Sequence, residues 1–106
     1  MPDPAPVPVP APVAGPSLRI DKYLWFARLA SSRSLAQKMA EDGHIRVNGR
    51  RIERAHAPVR AGDLITFPYP GQHPTRVRVV RVLRLPGRRG PAPEAQACYD
   101  ELQIGS

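Results

Sequence analysis

Arg33, Lys38, Arg46, Arg50 and Arg51 fall within nineteen residues of one another, joined on the flanks by Arg19, Lys22 and His44. Side chains of this kind, brought to one surface, form charge-assisted hydrogen bonds with anionic oxygens, and the planar guanidinium fork meets a phosphate at two points. Ser32 and Gln37 add a hydroxyl and an amide to the same stretch. Helix N-termini bind phosphate through free backbone amides, so Ser32 and Arg33 at the start of a helix would place charge and a hydroxyl beside such amides. A cation just inside a helix N-terminus is unfavourable to the dipole, which makes Arg33, and likewise Arg19 and Lys22 at the start of an earlier helix, ask for an anionic partner.

These side chains require elements to hold them. Ile20, Leu24 and Ala27, with Tyr23 on the flank, carry the spacing of an amphipathic first helix, with Asp21 in its first turn and Arg28 in its last. Ser31 or Ser32 can cap a second helix, Ser32 being the better placed, and Leu35, Ala36, Met39 and Ala40 form its apolar stripe. That helix is expected from Arg33 to Asp42, with Gly43 as its left-handed terminator. Beyond Gly43 the period becomes two: Ile45 and Val47 alternate with His44 and Arg46, and Asn48-Gly49 is a strong hairpin turn signal leading into Arg50, Arg51 and Ile52. Two short helices running into an Arg-bordered hairpin bring the cations within reach of one surface.

The rest of the chain completes an α+β architecture: two N-terminal helices packed on a small, twisted, mostly antiparallel sheet, with a C-terminal helix. Leu64 to Phe67 reads as a strand ending at Pro68, and Tyr69 to Pro74 as a loop. From Thr75 to Leu85 the alternation slips at Val79 and Val80, where a bulge would account for it, and Arg76, Arg78, Arg81 and Arg84 are expected on a strand edge or outer face. Gly87 to Pro91 reads as a basic linker, with Arg88 and Arg89 as secondary phosphate contacts, followed by a helix from Glu94 to Leu102. Residues 1–16 hold seven of the fourteen prolines and read as a disordered Pro/Ala-rich tail without the features of a secretory signal. The expected division is therefore 1–16, a binding domain over 17–86, and 87–106.

The charge lies in the part expected to fold: beyond Asp3, sixteen cations face eight carboxylates, and fourteen of the sixteen are arginines. With a pI near 10.8, nucleic acid is the leading partner class and an anionic membrane surface the second. Catalytic signatures are missing. His44, His56 and His73 lie in unrelated contexts, and there is no H-E-x-x-H, G-x-S-x-G or phosphate-cradling glycine loop. A single cysteine, Cys98, excludes an intrachain disulfide and a Cys-based metal cluster. No enzyme, metal or cofactor is expected. Trp25 and Phe26 read first as core or lid residues, with stacking on unpaired bases as the alternative.

The strings R-I-D-K-Y-L-W (Arg19–Trp25), S-R-S-L-A-Q-K-M (Ser32–Met39) and G-H-I-R-V-N-G (Gly43–Gly49) resemble the S4 domain, an RNA-binding module named for a ribosomal protein, over Arg19 to about Phe67. The segment Gly87–Glu101, with its double Arg and E-A-x-x-x-Y spacing, resembles the tail of the small ribosome-associated heat-shock protein 15 family. The resemblance implies a phosphate-contacting arginine at Arg33 and a backbone contact at Lys38. It also implies structured RNA of the large ribosomal subunit as partner, a cytoplasmic setting, and a role in recycling stalled subunits after heat stress. A monomer without membrane association is expected. Two alternatives stand beside it: a non-catalytic adaptor using the basic face on protein or anionic membrane, and an accessory RNA-binding subunit of an RNA-modifying enzyme.

Overall fold

The computed structural model describes residues 16–68 and 76–102. The proposed N-terminal tail, apart from Pro16, and the 69–74 loop lie outside the described residues. Helix α1 (Ile20–Phe26) follows directly on strand β1 (Leu18–Arg19). Seven residues are too few for a helix to hold itself together in water, and this one is held from outside. Strand β4 (Pro58–Val59) pairs antiparallel with β1, and the carbonyls of Ala57 and Ala55 accept from the first amides of α1, those of Ile20 (2.8 Å) and Asp21 (3.2 Å).

Helix α2 (Arg33–Glu41) packs along α1. Ser32 is its N-cap, the Oγ accepting from the Leu35 amide at 3.0 Å, and Asp42 is its C-cap. Gly43 follows with φ +77°, the left-handed terminator expected there. Strands β2 (Ile45–Val47) and β3 (Arg50–Ile52) form the hairpin, with Asn48 and Gly49 at φ +54° and +83° as its two-residue turn. The Asn48 side chain ties that turn down, accepting from the Leu64 amide (2.9 Å) and donating to Asp63 (3.1 Å).

Strands β5 (Leu64–Pro68), β6 (Val77–Val82) and β7 (Tyr99–Leu102) complete a five-stranded antiparallel sheet in the order β3-β2-β5-β6-β7. Ile45, Ile65, Phe67, Val80 and Val82 point from one face of it into the core, where they meet Ile20, Tyr23, Leu24, Ala36, Met39 and Ala40 from the two helices.

Four expectations are corrected. The bulge at Val79–Val80 is absent: β5 and β6 pair without interruption from Leu64↔Arg81 to Pro68↔Val77. The slip disappears because Arg78, Val80 and Val82 share the inner face, with Arg78 at its rim, paired with Glu101 and lying 5.5 Å over the Phe67 ring. Strand β6 is also flanked on both sides, so it is no edge.

The C-terminal helix is shorter than expected: α3 spans only Ala92–Gln96, and Tyr99–Leu102 is strand β7. The open edge of β6 offers a ladder of backbone hydrogen bonds that outweighs local helix preference once the sheet exists. Finally, α1 ends before Arg28, which takes a left-handed conformation (φ +60°) and donates from Nε to the Gly90 carbonyl at 2.7 Å.

A candidate nucleic-acid interface

Asp21 organises the first half of the site. It is fully buried, and its carboxylate accepts from Arg19 through Nε (2.8 Å) and Nη2 (2.9 Å), and from the Lys22 amide (2.8 Å). Arg33 Nε and Gln37 Nε2 reach it at 3.4 Å from α2. Burial pushes this carboxyl's pKa up, but the Arg19 fork, the Lys22 amide and Gln37 together hold it below the usual carboxylate range. One negative charge thus gathers two guanidinium groups and leaves the cluster with a net positive charge. Both arginine side chains remain more than a third exposed, at 38% and 36%, and Arg33 reaches Asp21 through Nε and not through its terminal nitrogens.

This hub was missed in the sequence, where Asp21 has a sufficient explanation as a dipole-stabilising first-turn residue. The visible signal was the pairing of two cations in dipole-unfavourable places, Arg19 and Arg33, with a carboxylate beside the first. Arg33 therefore has an internal anionic partner in addition to any external one. The Ser32 oxygen is committed to the cap, leaving the amides of Arg33 and Ser34 without a partner among the described residues.

Lys38, His44, Arg46 and Arg51 form a second group beyond the other end of α2. Arg46 lies directly across from Arg51 in the hairpin and from Thr66 on β5, so the three share the outer face of the sheet. Arg51 passes over Gly43, where an added Cβ would come within 2.6 Å of its guanidinium nitrogens. His44 and Lys38 border one shallow cavity of about 180 Å³ with Leu35, Met39, Asp42 and Pro68. Lys38 pairs with Asp42 (3.1 Å) and Arg51 with Glu53 (3.1 Å), both largely in solvent. Exposed pairs of this kind hold each other weakly, by about 0–1 kcal/mol, so a phosphate can replace either carboxylate.

Arg50, opposite Val47, lies on the other face of the hairpin, and Lys22 is half-buried on the outer side of α1. Arg88 and Arg89 are not on a free linker: Arg88 pairs with Glu94 (2.8 Å), and Arg89 lies 5.8 Å over the Trp25 ring. Arg50, Arg88 and Arg89 thus stand apart, and the other expected residues separate into an Asp21-centred group and a hairpin group connected by α2, whose nine residues measure about 14 Å.

Two short helices feeding a hairpin, with cations at both ends of the second helix, define an S4-domain protein, and the S4 domain family matches residues 18–65. Similarity extends past that module. A heat shock protein 15 homolog of Aeromonas salmonicida is 42% identical over 86 residues, covering 81% of this chain and 61% of that protein. Heat shock protein 15 of Escherichia coli K12 is 33% identical over 84 residues, covering 79% and 59%. A trimeric structure of heat shock protein 15 from Vibrio cholerae superposes with a TM-score of 0.72 at 33% identity, covering 82% of this chain and 83% of that one. The chain belongs to the heat shock protein 15 family of S4-domain proteins. It spans less than two thirds of the length of the curated relatives. Family membership supports an RNA-binding role. No helix among the described residues is long and apolar enough to cross a membrane.

Proposed function

We propose that this protein grips the phosphate backbone of folded RNA with Arg19, Lys22, Ser32, Arg33, Gln37 and Lys38 of the two helices and with His44, Arg46, Arg50 and Arg51 around the hairpin. Arg88 and Arg89 extend the contact. The observation that carries this reading is the Asp21 cluster: two partly exposed arginine side chains held on one buried carboxylate, Arg19 through Nε and Nη2 and Arg33 through Nε, so that the remaining guanidinium nitrogens are left for an external anion. Fixed donors lose less freedom on binding than free surface arginines do. Recognition is by shape and phosphate, which suits structured RNA, whose deep, narrow major groove hides base edges.

The partner we infer is ribosomal RNA of the large subunit, in the cytoplasm, and the role is recycling of stalled subunits under heat stress. This rests on the heat shock protein 15 relatives and, for the ribosome, on the resemblance of Gly87–Glu101. The protein acts by binding and not by catalysis. Residues 17–86 form the RNA-binding domain, and 87–106 extend it.

Gel-shift titration with folded large-subunit RNA fragments, at several salt concentrations, tests the reading. Arg33→Ala and Lys38→Ala each weaken binding to all sequences about equally and lower the slope of log affinity against log salt by about one. Unchanged affinity in both variants, or preference for duplex DNA or for anionic vesicles over folded RNA, refutes it.

A further inference from the structure

The outward side of α1 carries Lys22, Trp25 and Phe26, all half-buried, while Ile20, Asp21, Tyr23 and Leu24 face inward and are buried. The Trp25 and Phe26 rings lie 5.7 Å apart, tilted by 37°. A plain lid over a core would be finished with apolar neighbours. Here a cation finishes it: the Arg89 guanidinium sits over Trp25 at 5.8 Å, and its Nε is buried with no hydrogen-bond partner.

The segment bearing Arg89 is pinned in place. Arg28, in a left-handed conformation unfavourable to a non-glycine residue, donates to the Gly90 carbonyl at 2.7 Å. Gly90 is itself buried, and a Cβ there would strike the Glu94 carboxylate at 2.6 Å. Neither Arg28 nor Arg89 pairs with a carboxylate among the described residues. Trp25 also lies four residues beyond Asp21 on α1, about 40° around the axis toward the outward side and about 6 Å further along it, so the two are neighbours across the border of the buried face.

We propose that Trp25 and Arg89 form a stacking platform for one unpaired base of the RNA held at the Asp21 cluster, with the terminal nitrogens of Arg28 on that nucleotide's phosphate. The inference rests on the RNA-binding reading above. Every base has a π-face that stacks on an indole or guanidinium plane, so the site accepts any base and demands only that it be unpaired. The protein then prefers folded RNA at a junction, where a paired stem adjoins a free nucleotide.

Trp25 is the chain's only tryptophan, so its fluorescence reports on the site without any substitution. The unaltered protein is titrated with an RNA hairpin bearing a short single-stranded extension, and with the same stem fully paired. The extended RNA quenches Trp25 emission in step with binding, and the paired stem leaves it nearly unchanged. Trp25→Leu weakens binding of the extended RNA about tenfold and leaves the paired stem's affinity in place, whereas Arg33→Ala weakens both. If both RNAs bind with Trp25 emission unmoved, or quench it alike, the platform is refuted while the phosphate grip stands. If neither RNA binds, both readings fall.

Discussion

Replacing Asp21 by Asn keeps the size of the side chain and removes its charge. Of the five contacts at Asp21, three are short: two from Arg19 and one from the Lys22 amide. Asn retains one oxygen, as a neutral acceptor, and turns the other into an amide that faces the donors of Arg19, Arg33 and Gln37. A hydrogen bond to a charged group contributes about 1.5–3 kcal/mol. One such bond is lost and two are weakened, but water reaches the partly exposed arginine side chains and offsets part of this. The expected loss is about 2–3 kcal/mol, or a Tm drop of roughly 10–20 °C for a domain of this size. The pH dependence has a definite sign. Asp21's carboxyl is held below its ordinary range in the folded protein, so its contribution is complete above the unfolded value near ~4 and fades as pH falls through the lower folded value. Melts followed by circular dichroism should show the full gap between the two proteins at pH 7, closing only below about pH 4. RNA affinity supplies a second check, because removing a negative charge should tighten binding if net charge alone mattered. With Asp21 setting the positions of Arg19 and Arg33, binding weakens instead. A variant that melts with the unaltered protein at pH 7 and binds RNA more tightly would refute the role given to this carboxylate.

Tyr23→Phe removes a buried hydroxyl that donates to the Cys98 carbonyl at 2.9 Å; that carbonyl also accepts from the amides of Leu83 and Arg84, so a urea melt should show a loss of only about 1 kcal/mol. Gly43→Ala forces φ +77° on a residue with a Cβ and crowds the Arg51 guanidinium, and should cost about 1–2 kcal/mol in the same assay while moving Arg51. Burial pushes the Cys98 thiol pKa up, with Arg84 opposing this and Glu94 adding to it. Alkylation by iodoacetamide at pH 8 should therefore be far slower in the native protein than in urea, and equal rates would show the thiol exposed.

What could be read from the sequence is local. The cap at Ser32, the terminator at Gly43 and the Asn48-Gly49 turn each follow from one residue's own hydrogen-bonding or conformational preference, and all three stand where expected. The α2 stripe was legible because its period is set by the helix itself. The errors share a different origin. Strand β7 exists because β6 has an edge to be covered, and Arg78 faces inward because Glu101, twenty-three residues away, comes back to meet it. The role of Asp21 depends on α2 folding back to deliver Arg33 and Gln37. None of these partners lies within the span over which periodicity carries information. At the site, residue types were readable, but their division into an Asp21-centred group and a hairpin group was not.

The same long-range contacts bear on how so small a site can be rigid. Neither α1 nor α3 could persist alone. The C-terminal segment holds α1 and the turn that follows it at three points: the Tyr23 hydroxyl on Cys98, Arg28 on Gly90, and Arg89 over Trp25. Strand β4 and the Ala55–Ala57 carbonyls hold its other end. Asp21 is therefore fixed on a helix fastened at both ends, and Arg33 is set against it by α2. A chain cut after Leu85 would keep every expected S4-domain cation of the helices and hairpin yet lose those three fastenings and strand β7. If rigidity governs affinity, such a truncation should bind folded RNA more weakly than the loss of Arg88 and Arg89 alone, made as a double Ala variant. Equal affinities would mean that the last residues contribute charge and nothing else.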